Sequence, residues 1–296
     1  MKKRTGYLRL MRPANIVTAI ADVLAGIAVS GFITAWVFDY SHSLSVLLLC
    51  VSTAGLYGGG VVFNDVFDTN LDRIERPERP IPSGLISIQE ATVLGSLLLL
   101  SGITAALAVN VISGLLAVLI TIAALVYNKW GKHHPFFGPP NMGLCRGLNL
   151  LLGVSILPGA IISWWNIAFV PIIYISSITM ISRGEVHGSS RTSLYGASLL
   201  YALVIGLLLY FAWINGRVLF VLVFLLPFAW MIFKPLIMAV KEPSGLHIAK
   251  AVKAGIIALI MMDAAWAAAS GAFAVALIIA LLLPLSFWLA RLFAVT

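Results

Sequence analysis

The chain has 296 residues, of which 61% are hydrophobic and 10% are charged, and its mean hydropathy is +1.03. A water-soluble domain of this length does not carry so much apolar sequence, so the composition predicts a polytopic membrane protein in contact with the lipid bilayer. The net charge of +8 does not indicate a nucleic-acid partner, because the basic residues lie in short loops between apolar runs. Cys50 and Cys145 lie within those runs, which indicates core thiols rather than a disulfide.

Apolar runs follow one another along the whole chain without a long polar segment. They predict an all-α bundle of about nine to ten transmembrane helices, in a single domain over residues 1–296. The predicted spans are approximately 15–37, 44–67, 91–109, 111–127, 141–160, 164–181, 193–214 and 217–233. The remaining stretch, 247–293, is too long for one helix and is predicted to divide near Ser270-Gly271.

The basic residues are distributed unevenly between the two sides of the predicted bundle. With ten spans, the Lys and Arg residues of the loops fall on one side, and the other side keeps only Arg217. The positive-inside rule therefore predicts a multi-pass protein of the cell inner (plasma) membrane with both termini in the cytoplasm. One long tilted helix over 247–293 would instead give nine spans and an outside C-terminus.

Three aspartates lie at the end of the second predicted span. Asp65, Asp68 and Asp72 are spaced by three and then four residues, so a helix places them on one face, with Asn64 on a neighbouring line. Like charges repel, and desolvation beside a bilayer adds to the cost, so a positive partner is required. Mg²⁺ with a phosphorylated substrate meets this requirement, because its preferred ligands are carboxylate, water and phosphate oxygens. The alternative is an acidic helix end that is only solvated.

A basic loop stiffened by prolines comes directly after the aspartates. Arg73, Arg76 and Arg79 lie within it, and guanidinium groups suit phosphate oxygens. The same residues also satisfy the positive-inside rule without any ligand. The loop therefore predicts phosphate binding, with membrane topology as the alternative explanation.

Residues Asn64–Gly84 resemble the first motif of the UbiA family of intramembrane prenyltransferases. They read N-D-x-x-D-x-x-x-D and then R-x-x-R-P-x-R-P-x-P-S-G. Arg12-Pro13-Ala-Asn15, Tyr127-Asn-Lys129 and Gly138-Pro-Pro-Asn141 are further features similar to the family. The resemblance implies a helical bundle with a cytoplasm-facing polar cavity. It also implies an enzyme, a prenyltransferase that moves an isoprenoid from its diphosphate to a small aromatic or lipid acceptor with the help of Mg²⁺.

The family has a second acidic motif, D-x-x-x-D, after its sixth span, and this chain departs from it. The corresponding segment reads Ser-Arg-Gly-Glu-Val-His-Gly, with Glu185 as its carboxylate, and resembles the EboC branch of the family. A single Glu predicts that one cation is held firmly, with Arg183 and His187 as cationic partners of the phosphates in place of a second metal ion. Glu185 then either binds metal or orients Arg183. The other interpretation is that ionisation of the substrate has been lost.

The resemblance assigns roles to individual residues. The predicted metal ligands are Asp65, Asp68, Asp72 and Glu185, and Arg183 joins them as a predicted catalytic residue. The predicted substrate-binding residues are Asn15, Asn64, Arg73, Arg76, Arg79, Lys129, Arg146, Asn149 and His187.

Four polar residues lie inside predicted spans. Arg146 and Asn149 are three residues apart within the fifth span, and the cost of burying charge there predicts that they face a cavity. The alternative for Arg146 is snorkelling toward the interface. Asp22 and Asp263 are isolated acids, which either line the cavity or pair with a basic group.

Other classes of membrane protein fit the sequence less well. A CDP-alcohol phosphotransferase requires a D-G-x-x-A-R element, which the chain lacks. A transporter often shows an internal repeat, and none is evident. The alternative that remains is a non-catalytic protein that binds or transports isoprenoid lipids on the same scaffold.

The loop charges generate the first testable prediction. In a background without Cys50 and Cys145, a membrane-impermeant thiol reagent applied to intact cells should label Ser43→Cys and leave Ser83→Cys unlabelled. Labelling of both variants after permeabilisation is the control for accessibility. The reverse pattern in intact cells would contradict the predicted orientation.

Overall fold

The computed structural model describes residues 3–33, 40–134, 136–184 and 190–293, and helices account for most of these residues. The α-helices are α1 Lys3–Met11, α2 Pro13–Val29, α3 Tyr40–Phe67, α4 Thr69–Glu75, α5 Ile88–Val109, α6 Val111–Lys129, α7 Gly138–Val154, α8 Ala160–Trp164, α9 Phe169–Ser182, α10 Arg191–Ile214, α11 Val218–Lys241, α12 Gly245–Ser270 and α13 Phe273–Leu292. Short 3₁₀ turns at Gly131–His133 and Trp165–Ala168 precede α7 and α9.

The predicted all-α membrane architecture is confirmed. By length and composition, nine helical segments of the described chain are able to cross a membrane, counting α1 with α2 and α8 with α9. The 17-residue α7, which corresponds to the predicted fifth span, packs against α2, α6 and α9 and is not among these nine segments. Which membrane holds the protein, which side its termini face and whether 1–296 forms one domain stay predictions.

Local signals in the sequence set several helix ends. Ser87 and Glu90 form a reciprocal capping box at the start of α5, and Asn110 caps α6 by accepting a hydrogen bond from the Ser113 N–H. The predicted division of the last apolar stretch is also confirmed. It occurs at Gly271, whose φ of 94° is readily adopted only by glycine.

Several predicted span ends are wrong: α2 ends at Val29 rather than at residue 37, and α7 ends at Val154 rather than at residue 160. The eighth span is predicted to end at Phe233, before Lys234, but α11 continues to Lys241 with Pro227 and Pro235 inside it. The Lys234 ammonium lies 5.0 Å from the centroid of the Trp230 ring, and its long stem lets the charge reach the interface without ending the helix.

Helices α2, α7 and α12 form the centre of the bundle. Most residues of each are buried, and α2 contacts both α7 and α12. The crossing of α2 with α7 is close because glycines meet there. A Cβ atom on Gly26 would lie 2.1 Å from the Leu150 carbonyl oxygen, and one on Gly153 would lie 2.1 Å from the Val23 carbonyl oxygen.

This crossing gives a prediction about stability. Gly26→Ala should lower the free energy of unfolding by about 1–3 kcal/mol, because the added methyl group overlaps backbone that cannot easily move. Gly206→Ala on α10 is the matched control, since its Cβ atom would meet nothing within 4 Å. Thermal unfolding in detergent measures both. Equal stability of the two variants would contradict the close crossing.

Candidate functional site

Two adjoining cavities lie at the end of α3 that carries the aspartates. The first, here called the charged cavity, has a volume of about 330 Å³ and is lined by Asp68, Asp72, Arg76 and Arg79 among others. The second, the apolar cavity, has a volume of about 200 Å³, and its walls include Leu56, Val61, Ile120 and Ala124. Six residues line both cavities: Arg12, Tyr57, Asn64, Tyr127, Met142 and Arg146.

The acidic motif spans the junction between α3 and α4. α3 ends at Phe67 and α4 begins at Thr69, yet the hydrogen bonds from Asp68 N to Asn64 O (3.0 Å) and from Asp72 N to Asp68 O (2.8 Å) carry the helical turn through the junction. The three aspartates therefore keep the helical spacing that the sequence predicts, although the helix breaks between α3 and α4.

Each aspartate of the motif has at least one basic partner. Asp65 accepts hydrogen bonds from Arg12 Nη2 (2.9 Å) and Arg79 Nη1 (3.3 Å). Asp72 accepts from the same Arg79 nitrogen at 2.8 Å, and Asp68 pairs with Lys132. Asp65 and Asp72 are only 5% and 3% exposed, so the requirement for compensating charge is met within the chain.

The carboxylates do not converge on one point. Among the described residues, no group of three or more His, Cys, Asp or Glu side chains is arranged to hold a metal ion. The donor chemistry nevertheless fits Mg²⁺, because the three side chains offer hard oxygen ligands and two of them line the charged cavity.

Arg12 and Lys132, which pair with the aspartates, are not among the site residues predicted from the sequence. Arg12 joins α1 to α2 with a φ of 48°, and among the described non-glycine residues it alone has a positive φ. Backbone of this kind costs about 1 kcal/mol or more and is held by its surroundings. The sequence signal for this unusual conformation is that Arg12 precedes Pro13, because the residue before a proline disfavours the α-helical conformation.

The other predicted site residues divide into two groups. Asn15, Asn64, Arg76, Arg79 and Arg146 line the charged cavity, and Asn149 lines the apolar cavity.

Three predicted site residues, Arg73, Lys129 and Arg183, line neither cavity. Arg73 and Lys129 are exposed, and the Lys129 ammonium lies 4.6 Å from the Trp130 ring centroid. Arg183 is also exposed, with Nη2 donating to the His134 carbonyl at 3.1 Å. Glu185 and His187 lie outside the described residues.

Asn64 and Arg146 are held in place by hydrogen bonds. Asn64 Nδ2 donates to Asn128 Oδ1 at 3.1 Å, and Asn128 Nδ2 donates to the Gly60 carbonyl at 2.7 Å. Arg146 does not snorkel, because its guanidinium is 2.5 Å from Asp22 Oδ2 and is buried. Of the two predicted roles of Asp22, lining the cavity or pairing with a basic group, this contact supports the second.

Comparisons with known proteins find similarity in both sequence and fold. The model of the UbiA prenyltransferase family matches residues 23–245. A digeranylgeranylglyceryl phosphate synthase from Methanococcoides burtonii is 32% identical over 158 residues, which are 51% of this chain and 54% of that protein. The matched stretch therefore spans about half the length of this curated relative.

Two solved structures share the fold. A UbiA homologue from Aeropyrum pernix has a TM-score of 0.69 at 17% identity, over 84% of this chain and 96% of that one. A UbiA homologue from Archaeoglobus fulgidus bound to GPP and Mg²⁺ has a TM-score of 0.62 at 18% identity, over 84% of this chain and 99% of that one.

The ion pairs give a prediction about stability. Arg79→Ala should destabilise the protein by roughly 3 kcal/mol, because Asp72 would remain buried without its partner and Asp65 would lose one of two. Arg73→Ala, six residues earlier and exposed, should change stability by less than about 0.5 kcal/mol. Denaturation in detergent without ligand measures both, and equal effects would count against the pairing.

Proposed function

Because the chain belongs to the UbiA prenyltransferase family, we propose that it transfers a prenyl group from an isoprenoid diphosphate to an acceptor in the membrane, with Mg²⁺ as cofactor. The observation that carries the proposal is the junction of a charged cavity with an apolar one. An isoprenoid diphosphate has the same two halves, an anionic head and an apolar chain.

Asp65, Asp68 and Asp72 are the residues that would hold Mg²⁺. When bound, the cation supplies positive charge that stabilises the departing diphosphate. The solved homologue bound to GPP and Mg²⁺ supports this assignment by analogy of fold. Glu185 remains a proposed further ligand, or a residue that orients Arg183.

Arg12, Arg79 and Lys132 balance the carboxylates before a ligand arrives. The same groups suit phosphate oxygens, with the planar guanidiniums able to bind them in pairs of hydrogen bonds. A cation and a diphosphate entering together bring charges of both signs, so the site stays balanced. Binding of either ligand alone leaves a surplus of one sign. We therefore expect each ligand to strengthen the binding of the other.

The apolar cavity suits the reacting end of the prenyl chain. Tyr57 and Tyr127 line both cavities, and aromatic faces attract the positive charge that develops as the allylic C–O bond breaks. Leu56 and Ile120 contribute apolar wall that limits the access of water to a carbocation.

The acceptor is proposed to be a lipid or a small aromatic molecule. The curated relatives are named for digeranylgeranylglyceryl phosphate, which favours a lipid of the glyceryl phosphate class. The similarity to the EboC branch stays a prediction and leaves the aromatic class open. The cytoplasmic orientation of the charged cavity is likewise part of the proposal.

Turnover separates an enzyme from a binding protein. The purified protein in bilayer nanodiscs is incubated with Mg²⁺, radiolabelled geranylgeranyl diphosphate and either a prenylated glyceryl phosphate or an aromatic acid. Release of diphosphate with transfer of label to an acceptor supports the proposal. Saturable binding of the labelled diphosphate without turnover on any acceptor, including a membrane lipid extract, would favour the non-catalytic alternative.

Asp65→Asn tests the metal site. The variant should lose roughly tenfold or more of the Mg²⁺-dependent gain in diphosphate affinity, because a neutral amide is a poor ligand for a hard cation. The amide oxygen still accepts a hydrogen bond from Arg12, which protects the fold. Glu78→Gln, at an exposed position in the basic loop after α4, is the control. Calorimetric titration measures both, and an unchanged Mg²⁺ dependence in Asp65→Asn would contradict the assignment.

A further inference from the structure

A separate group of charged side chains lies in the centre of the bundle. It consists of Arg146 on α7, Asp22 on α2 and Asp263 on α12, which are 5%, 1% and 1% exposed. None of these helices belongs to the acidic motif. Burial of three ionisable groups in an apolar bundle is costly unless their charges and hydrogen bonds are satisfied.

Only part of this group is satisfied by donors of the chain. Asp22 Oδ2 accepts hydrogen bonds from Arg146 Nη1 at 2.5 Å and from Asn149 Nδ2 at 2.9 Å. Arg146 Nη2 donates to Thr18 Oγ1 at 2.6 Å. In contrast, Asp22 Oδ1 and Asp263 Oδ2 receive no hydrogen bond from any described residue.

α2 packs against α12, and the Asp263 carboxyl group lies close to that of Asp22. The hydroxyl of Tyr174, the other titratable side chain near Asp263, donates to the Gly255 carbonyl instead. One guanidinium balances one carboxylate, so a second carboxylate would leave a surplus negative charge in the bundle. A single proton between the carboxyl groups removes that surplus and satisfies the remaining oxygens.

We infer that Asp22 and Asp263 share one proton, with Asp263 as its donor and Asp22 as the counter-ion of Arg146, and that the pair positions Arg146 for substrate. Asp263 then acts as a neutral hydrogen-bond donor rather than as an anion.

The location of Arg146 indicates that this arrangement serves substrate binding, an argument that rests on the proposed function. Arg146 lines both cavities, and its guanidinium lies 5.1 Å from the Tyr57 ring centroid. A substrate that extends from the charged cavity into the apolar one passes this side chain. Because Asp22 already balances its charge, Arg146 offers N–H donors without a net positive charge. That suits the bridging oxygen of a prenyl diphosphate or an acceptor hydroxyl.

Infrared spectroscopy tests the shared proton without substrate or turnover. The wild-type protein in detergent at neutral pH should show the carbonyl stretch of a protonated, buried carboxyl group, and Asp263→Asn should remove it. Glu78→Gln is the control and should leave the band unchanged. A wild-type spectrum without the band, or a band that persists in Asp263→Asn, would overturn the inference. This result does not depend on whether the protein is a prenyltransferase.

Substrate affinity tests the positioning role. Asp263→Asn keeps a donor toward Asp22, so the KM for the prenyl diphosphate should stay within about twofold of wild type. Asp22→Asn removes the counter-ion that positions Arg146. The KM should then rise about ten- to a hundredfold, which corresponds to the loss of one charge-assisted hydrogen bond to the substrate. Equal losses in the two variants would overturn the inference, since Asp263 would then act as an anion. An unchanged KM in both would overturn the positioning role.

Discussion

Negative charge buried in an apolar bundle must lie beside a positive charge, and this constraint organises the protein. Asp65 and Asp72 share Arg79, Asp65 also contacts Arg12, and Asp22 contacts Arg146. The desolvation penalty of each group would otherwise exceed the small net stability of a protein. These ion pairs join segments far apart in the chain, so they determine how α2, α3 and α7 meet and where cavities remain between them.

The same constraint links stability to the proposed chemistry. The cations that compensate the acidic motif in the absence of ligand are also the groups suited to phosphate oxygens. The negative charge of the motif is therefore compensated within the chain. Arg146 differs, because it donates to a buried counter-ion, Asp22, which also accepts a hydrogen bond from Asn149. Under the proposed function, the first set of cations exchanges partners when ligand binds, whereas Arg146 keeps its counter-ion.

Similarity to the family is unevenly distributed along the chain. The solved homologues share the fold at 17–18% identity, and the curated relative shares about half of the sequence at 32% identity. The acidic motif and its basic loop carry the resemblance in sequence. The chain departs from the family's second acidic motif at Glu185, whose structure is not described. Differences of substrate within one fold are expected to arise at such positions.

The sequence alone determined the helical architecture, the division at Gly271 and the position of the acidic motif, because hydropathy, glycine conformation and charge spacing are local properties. Tertiary structure decided which polar groups meet. Lys129 and Lys132 are equivalent on the basis of composition, yet only Lys132 reaches Asp68, because the turn after α6 directs the two side chains differently. The positive φ of Arg12 and the contact of Asp22 with Arg146 likewise depend on packing between distant helices. No local pattern specifies such contacts, since each depends on the burial that both partners acquire only in the folded bundle.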